Sequence, residues 1–297
     1  GPVKALGTRH SFSEIADTDG LLVSLENLNG IELGEDSVRI GAGVRYGDLA
    51  PVLHREGRAL RNLASLPHIG VAGATATGTH GSGVANPCLS SEIRAMDLVL
   101  ADGSVRRIER GDPDFDGAAV HLGALGIVAD LELDTRPDFS IAQAVYRNLP
   151  FEEAIAGFEE FMGSAYSVSF FTRWDGPNVE QVWAKSLGEV PPGLAFGSAV
   201  REAQPVHPVA DAEPSACTDT SGRPGPWHER LPHFRLEHTP SFGEELQSEY
   251  LIPREAAPQA MEALRAIGSR IAPLLLVSEI RTVAADTHWM SPAYGRD

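Results

Sequence analysis

Ser65-Leu66-Pro67-His68-Ile69-Gly70-Val71-Ala72-Gly73-Ala74-Thr75-Ala76-Thr77-Gly78-Thr79-His80-Gly81-Ser82-Gly83 is the stretch on which the fold turns. It is almost free of charge. From Gly70 onward, five glycines fall within fourteen residues. The backbone can therefore turn through positive φ and approach a ligand with no Cβ in the way. Successive N–H groups in such turns form a nest for anionic oxygens, and the hydroxyls of Thr75, Thr77, Thr79 and Ser82 can add donors. A pyrophosphate needs this chemistry. A tightly packed Gly/Ala turn between core elements has the same composition, so the loop alone leaves both readings open.

The two commonest phosphate binders are excluded. No Gly-Lys-Ser/Thr closes the loop, as a Walker sequence requires. A Rossmann fingerprint needs Gly-x-Gly-x-x-Gly between strand and helix. In Gly41-Ala42-Gly43-Val44-Arg45-Tyr46-Gly47, after the strand-like Val38-Arg39-Ile40, the third glycine falls one residue late. That segment reads as a strand-to-helix turn that packs beside a cofactor. Upstream, Gly1 to Leu6 reads as a strand leading into Gly7-Thr8-Arg9-His10-Ser11-Phe12, which sets a histidine where a ligand could be met.

These segments together resemble the vanillyl-alcohol-oxidase (PCMH) type of FAD-binding domain, and within it the alditol oxidases, with the aldonolactone oxidases as close relatives. The resemblance rests on Gly7–Phe12, Ala64–Ile69 and Ala76–Gly83. It continues through Pro224–Arg235, Glu249–Arg254, Ser278–Asp286 and Met290–Tyr294, and so covers essentially the whole chain. It implies an α+β protein: an FAD-binding domain over residues 1–137, then a substrate domain over 138–297 with an antiparallel sheet covered by helices. It implies FAD bound by Gly7, Thr8, Arg9, His10, Ser11, Phe12, Ser65, Gly70, Gly73, Thr77, Gly78, Thr79, His80, Gly81 and Val128, and attached covalently through His10. Where this family usually has Gly before the histidine, the chain has Arg9. The resemblance further implies oxidation of a polyol's terminal hydroxyl, with O2 as acceptor and H2O2 as product, or alternatively oxidation of a sugar lactone.

The catalytic candidates are Glu279, Arg281 and Ser65. Alternate residues of a strand share a face, so Glu279 and Arg281 point the same way. From these two residues alone, a mutual structural ion pair is the plainer account. The resemblance places the matching pair in the sugar-alcohol pocket. There Arg281 would stabilise a developing alkoxide, Glu279 would accept from neighbouring hydroxyls, and Ser65 would lie near both flavin and substrate. It also implies a preceding βα segment and a later active-site lysine in a His-Trp-Gly-Lys-like motif, neither of which is in this sequence. The chain is thus expected to be an interior fragment, catalytically incompetent alone; a naturally short homologue is the alternative.

Composition sets the remaining bounds. The 297 residues carry a net charge of −17, which disfavours nucleic acid and anionic membranes as partners. No apolar run approaches the roughly 18 residues of a membrane span. Two cysteines, Cys88 and Cys217, cannot make a disulfide framework. A cytoplasmic monomer is expected. The scattered histidines lack metal-site spacing, and Ser11 and Ser65 lack a nucleophile-elbow setting. Asp97–Leu100 predicts a strand turning at Ala101-Asp102-Gly103-Ser104, and Tyr46–Gly57 a helix. Leu122–Val128 is a glycine-punctuated approach to a strand. Further on, Phe151–Phe161 and Ala256–Ile271 predict helices. Ser167–Thr172, paired with Gln181–Ala184, and Leu274–Val283 predict strands. Pro191–Pro226 reads as irregular. Trp227 and Trp289 read as core by default.

Overall fold

The computed structural model describes residues 1–238 and 245–297. The first part of the chain lays down β1 (Val3–Leu6), β2 (Leu21–Ser24), β3 (Ile31–Leu33), β4 (Ser37–Gly41), β5 (Arg58–Ala59), β6 (Ile93–Val99), β7 (Val105–Glu109), β8 (Ile127–Asp134) and β9 (Arg136–Pro137), with helices α1 (Tyr46–Arg55), α2 (Val71–Ala76) and α3 (Phe115–Ala118). β1 and β2 pair in parallel. β3-β4-β8-β6-β7 form an antiparallel sheet. The β6–β7 turn is the expected Asp-Gly one, with Gly103 at φ +83. Val38, Ile40, Met96, Leu98, Leu131 and Leu133 send their side chains to one face. The opposite face carries Arg39, Asp97, Arg107, Asp130 and Glu132 in ion pairs. Period-two alternation separates the faces. Leu49, Ala50 and Leu53 of α1 cover the apolar one.

The second part carries β10 (Ser140–Pro150), α4 (Phe151–Ala156), α5 (Phe158–Gly163), β11 (Ser167–Thr172), β12 (Asn178–Leu187), β13 (Val200–Arg201), β14 (Ser221–Pro226), α6 (Ala257–Ala266), α7 (Gly268–Ile271) and β15 (Ser278–Arg281). Its sheet runs β13-β10-β12-β11-β15, with β14 also on β10. One face presents Ala144, Val168, Phe170, Val182 and Ala184 to a core shared with Phe151, Phe158 and Met261 of the helices. The other face carries Gln143, Val145, Ser169, Phe171, Trp183, Lys185, Glu279 and Arg281, as the pairings Gln143↔Lys185, Ser169↔Trp183, Ser169↔Arg281 and Phe171↔Glu279 require. The candidate residues Glu279 and Arg281 lie on this second face.

Four expectations change in detail. The helix over Phe151–Phe161 breaks at Gly157, where a Cβ would lie 2.7 Å from the Phe161 ring. The segment Pro191–Pro226 is not wholly irregular, because β13 and β14 pair with β10. The strand expected over Leu274–Val283 shrinks to Ser278–Arg281. Ala272–Leu274 is a 3-10 turn containing Pro273, and Leu274 is 83% exposed, so the apolar run before the strand is not a buried one. Trp289 is 59% exposed, whereas Trp227 is core.

Trp227 belongs to the first sheet's core although it follows β10 to β14 of the second sheet in sequence. It is fully buried and stacks on Phe139, with ring centroids 6.0 Å apart. Ile141 and Leu231 enter the same core, so the two layers are joined by shared apolar burial. Trp227→Ala is expected to lower the unfolding free energy by about 3–5 kcal/mol, read from urea melts as a fall in midpoint.

Candidate active site

The turn after β1 meets the glycine-rich loop. Gly70 N–H donates to Thr8 Oγ1 at 3.0 Å, and the His10 and His68 rings lie 6.3 Å apart. Arg9 has φ +62, a left-handed conformation that costs an L-residue energy and that glycine adopts freely. His10 is half-buried. Burial, then His68 and Arg45, push its pKa below the ordinary value, so the neutral imidazole is favoured. Arg45 lies in the turn between β4 and α1, which places that turn beside His10. Ser11 and Phe12 are exposed.

The loop itself is only partly the nest expected. Gly78 (φ +65) and Gly83 (φ +127) turn through positive φ. A Cβ at Gly7 or Gly73 would meet nothing within 4 Å, so both present open backbone. At Gly81 a Cβ would lie 2.4 Å from the Leu63 carbonyl, which is close packing within the chain. The hydroxyls also depart from expectation. Thr75 donates to Val71 O, Thr77 to Gly73 O and Ser82 to Val168 O. Thr75 and Thr77 satisfy carbonyls of their own turn and Ser82 one on β11, so none is a spare donor. Among the described residues, Thr79 Oγ1 has the Thr77 hydroxyl as its hydrogen-bond partner, at 3.3 Å. Val128 is buried in β8 opposite Leu98. The buried atom His68 Nδ1 completes no hydrogen bond among the described residues. Open glycine backbone, a neutral histidine and this orphaned ring nitrogen fit a flavin nucleotide laid along this groove.

Three residues before His68, the same loop enters a second site. Ser65, Asn62, Gly81, Ser82, Ser167, Lys185, Leu231, His233, Glu279 and Arg281 surround a cavity of about 10 Å³, room for roughly one water molecule. The expected trio Ser65, Glu279 and Arg281 is therefore brought together. Glu279 and Arg281 are neighbours, at 3.9 Å, but each has a closer partner. Glu279 Oε1 lies 3.0 Å from His233 Nε2, and Arg281 Nη2 donates to Glu249 Oε1 at 2.8 Å. Glu249 also lies 3.3 Å from His80 Nε2. Lys185 Nζ stands 3.2 Å from His233 Nδ1 and donates to the Leu231 carbonyl. His233 and Phe234 N–H groups both donate to the Ser65 carbonyl.

Burial lowers the Lys185 pKa to about 7, with Glu279 opposing and Arg281 assisting. Burial and Lys185 lower His233 to about 4. For Glu279, burial favours the acid, but Arg281 and His233 outweigh it and hold the carboxylate far below its usual range. His80 and Arg281 hold Glu249 down at about 2. Lys185, His233 and Glu249 were not singled out from the sequence. The available signal for Lys185 was a lone cation closing the apolar strand segment Val182-Trp183-Ala184.

The folded layers define a class: an FAD-binding domain followed by a second, antiparallel sheet covered by helices. Residues 1–109 match the model of the FAD binding domain. The chain belongs to the alditol oxidase family. It is 48% identical over 294 residues to alditol oxidase of a Streptomyces species, covering 97% of this chain and 70% of that protein. It is 29% identical over 313 residues to L-gulono-1,4-lactone dehydrogenase of Mycobacterium tuberculosis, covering 99% and 72%. Among solved structures, cholesterol oxidase from B. sterolicum shares the fold, with a TM-score of 0.57 at 18% identity over 64% of this chain and 41% of that one. No helix among the described residues is long and apolar enough to cross a membrane.

The buried lysine gives a pH test. Between pH 7 and the ordinary lysine value the unfolded chain holds a proton that the folded chain has released, so stability rises with pH in that window. Below pH 7 both states are protonated and the cost of the buried ammonium is felt in full. Relative to Lys185→Met, the native chain should gain roughly 1 kcal/mol per pH unit from pH 7 to 10, read from denaturant melts. A difference independent of pH would contradict the assignment.

Proposed function

We propose that this chain carries the flavin groove and substrate pocket of an FAD-dependent oxidase acting on the terminal CH–OH of alditols such as xylitol or sorbitol, with O2 as acceptor. The observation that carries the reading is the convergence of Ser65, Glu279 and Arg281 on one cavity, three residues along the loop from the His10–His68 contact. The 48% identity to an alditol oxidase over nearly the whole chain supports the polyol as substrate. FAD, when bound, supplies the hydride acceptor. Residues 1–137 hold it, with His10 as the covalent attachment point; Gly7, Thr8, Gly70, Gly73, Gly78, Thr79 and Gly81 line the groove. The neutral state favoured for His10 suits attack through a ring nitrogen.

Residues 138–297 serve the substrate. Arg281 is always cationic and offers several donors. It stabilises the negative charge on the substrate oxygen as the hydroxyl proton is lost, charge that is discharged into the new C=O as hydride leaves the same carbon. Glu279 stays ionised and accepts from a neighbouring hydroxyl of the polyol. Ser65 has no hydrogen-bond partner for its hydroxyl among the described residues and faces the same cavity. Glu249 occupies the outer donors of Arg281, so a polyol hydroxyl binds there by displacing it.

In the FAD-loaded enzyme, Arg281→Ala should lower kcat on xylitol by about 10²–10³-fold while flavin content is unchanged. Near-native turnover by this variant would refute the assigned role. Acid-precipitated wild-type enzyme should keep its yellow colour in the pellet, and His10→Ala should release it to the supernatant. Assays with xylitol, sorbitol and an aldonolactone decide between polyol and lactone: an alditol oxidase favours the first two.

A further inference from the structure

Glu279 is held from behind by two residues that the reaction itself does not call for. Lys185 is 2% exposed and His233 4%. They lie at hydrogen-bond distance in series: Lys185 Nζ to His233 Nδ1 at 3.2 Å, and His233 Nε2 to Glu279 Oε1 at 3.0 Å. The His233 ring is fixed edge-on between Phe171 and Trp183, with centroids 5.4 and 5.2 Å away. Its tautomer follows from its partners. A carboxylate only accepts, so Nε2 carries the hydrogen; Nδ1 then holds the lone pair and accepts from Lys185. The His233 backbone N–H meanwhile donates to Ser65 O.

We infer that Lys185 and His233 are positioning residues for substrate binding: Lys185 locks His233 in the tautomer that pins Glu279 Oε1, leaving Oε2 as the oxygen offered to a polyol hydroxyl. This deepens the reading above and rests on it. An unpinned Glu279 could turn both oxygens onto Arg281 and present neither to substrate. The charge behind the pin changes near neutral pH, because Lys185 releases its proton at about 7. The groups facing Lys185 are His233, Glu279, Arg281 and Cys217, with uncharged Gln143 and Ser167 beside it on the neighbouring strands.

The test uses the FAD-loaded enzyme with xylitol from pH 5.5 to 9. Wild type should show a step in KM near pH 7. Lys185→Met should raise KM about tenfold with a smaller change in kcat, flatten the step and retain flavin. His233→Gln keeps an N–H for Glu279 and should stay within about threefold of wild type, whereas His233→Leu should match Lys185→Met. A surviving pH step in Lys185→Met, or equal behaviour of the Gln and Leu variants, overturns the inference. Should the wild type fail to oxidise xylitol, the substrate reading falls, and the coupling is tested separately by NMR of ¹³C-labelled lysine. Glu279→Gln should move the Lys185 midpoint down by about half a pH unit or more, since Glu279 favours its charged form. An unchanged midpoint overturns the coupling, and the same measurement decides the matter should Lys185→Met fail to hold flavin.

Discussion

Charge buried where two sheets meet is the constraint on which the rest of the structure depends. A lone buried carboxylate or ammonium is too costly to keep, and removing one member of a buried pair leaves the other uncompensated. Lys185, His233, Glu279, Arg281, Glu249 and His80 answer this by standing in sequence, each within 4 Å of the next. Each of these neighbours lies on a different part of the chain except Glu279 and Arg281. The arrangement exists only when β12, β15, the 231–234 segment and the glycine-rich loop are all in place. Folding and site assembly are therefore the same event.

The sheet geometry makes this economical. On the helix-covered face of β10–β12–β11–β15, Ala144, Tyr146, Val168, Phe170, Val182 and Ala184 are buried and packed into one apolar core. On the other face Trp183, Phe171 and Val145 form a small apolar patch that walls the His233 ring and dries the charges beside it. Low local dielectric strengthens each contact in the series. The same dryness lowers the Lys185 pKa to about 7, whereas Arg281 and His233 keep Glu279 ionised against the burial that favours its acid, so the site's pKa values stay apart. A site that must accept a neutral polyol and manage a developing negative charge gains from this separation.

The Ser65 carbonyl ties the two halves together. It receives both the His233 and Phe234 N–H groups, so the loop that borders the flavin groove is fixed to the residue that holds Glu279. Gly70, five residues along, is fixed to Thr8 in the His10 turn. The six consecutive positions from Ser65 to Gly70 thus link the His10 turn to the segment whose His233 holds Glu279. The strained left-handed backbone of Arg9 sits at one end of this path, where local strain is held by the surrounding structure.

The sequence by itself determined the elements whose signals are local. Asp102-Gly103 turns the β6–β7 hairpin because the turn's backbone needs Gly at positive φ. The period-two alternation of β15 puts Glu279 and Arg281 on one face. The His10 turn and glycine-rich loop together declare a flavin groove, although either alone reads equally well as packing. The tertiary structure decided what is non-local. It spent the hydroxyls of Thr75, Thr77 and Ser82 on nearby carbonyls, and it placed Trp227 in the core of a sheet laid down long before it. It brought Lys185, His233 and Glu249 to the site from positions 94, 46 and 30 residues before Glu279. A lysine in a strand becomes a titrating partner of Glu279 only through desolvation and register, and both are properties of the packed sheets.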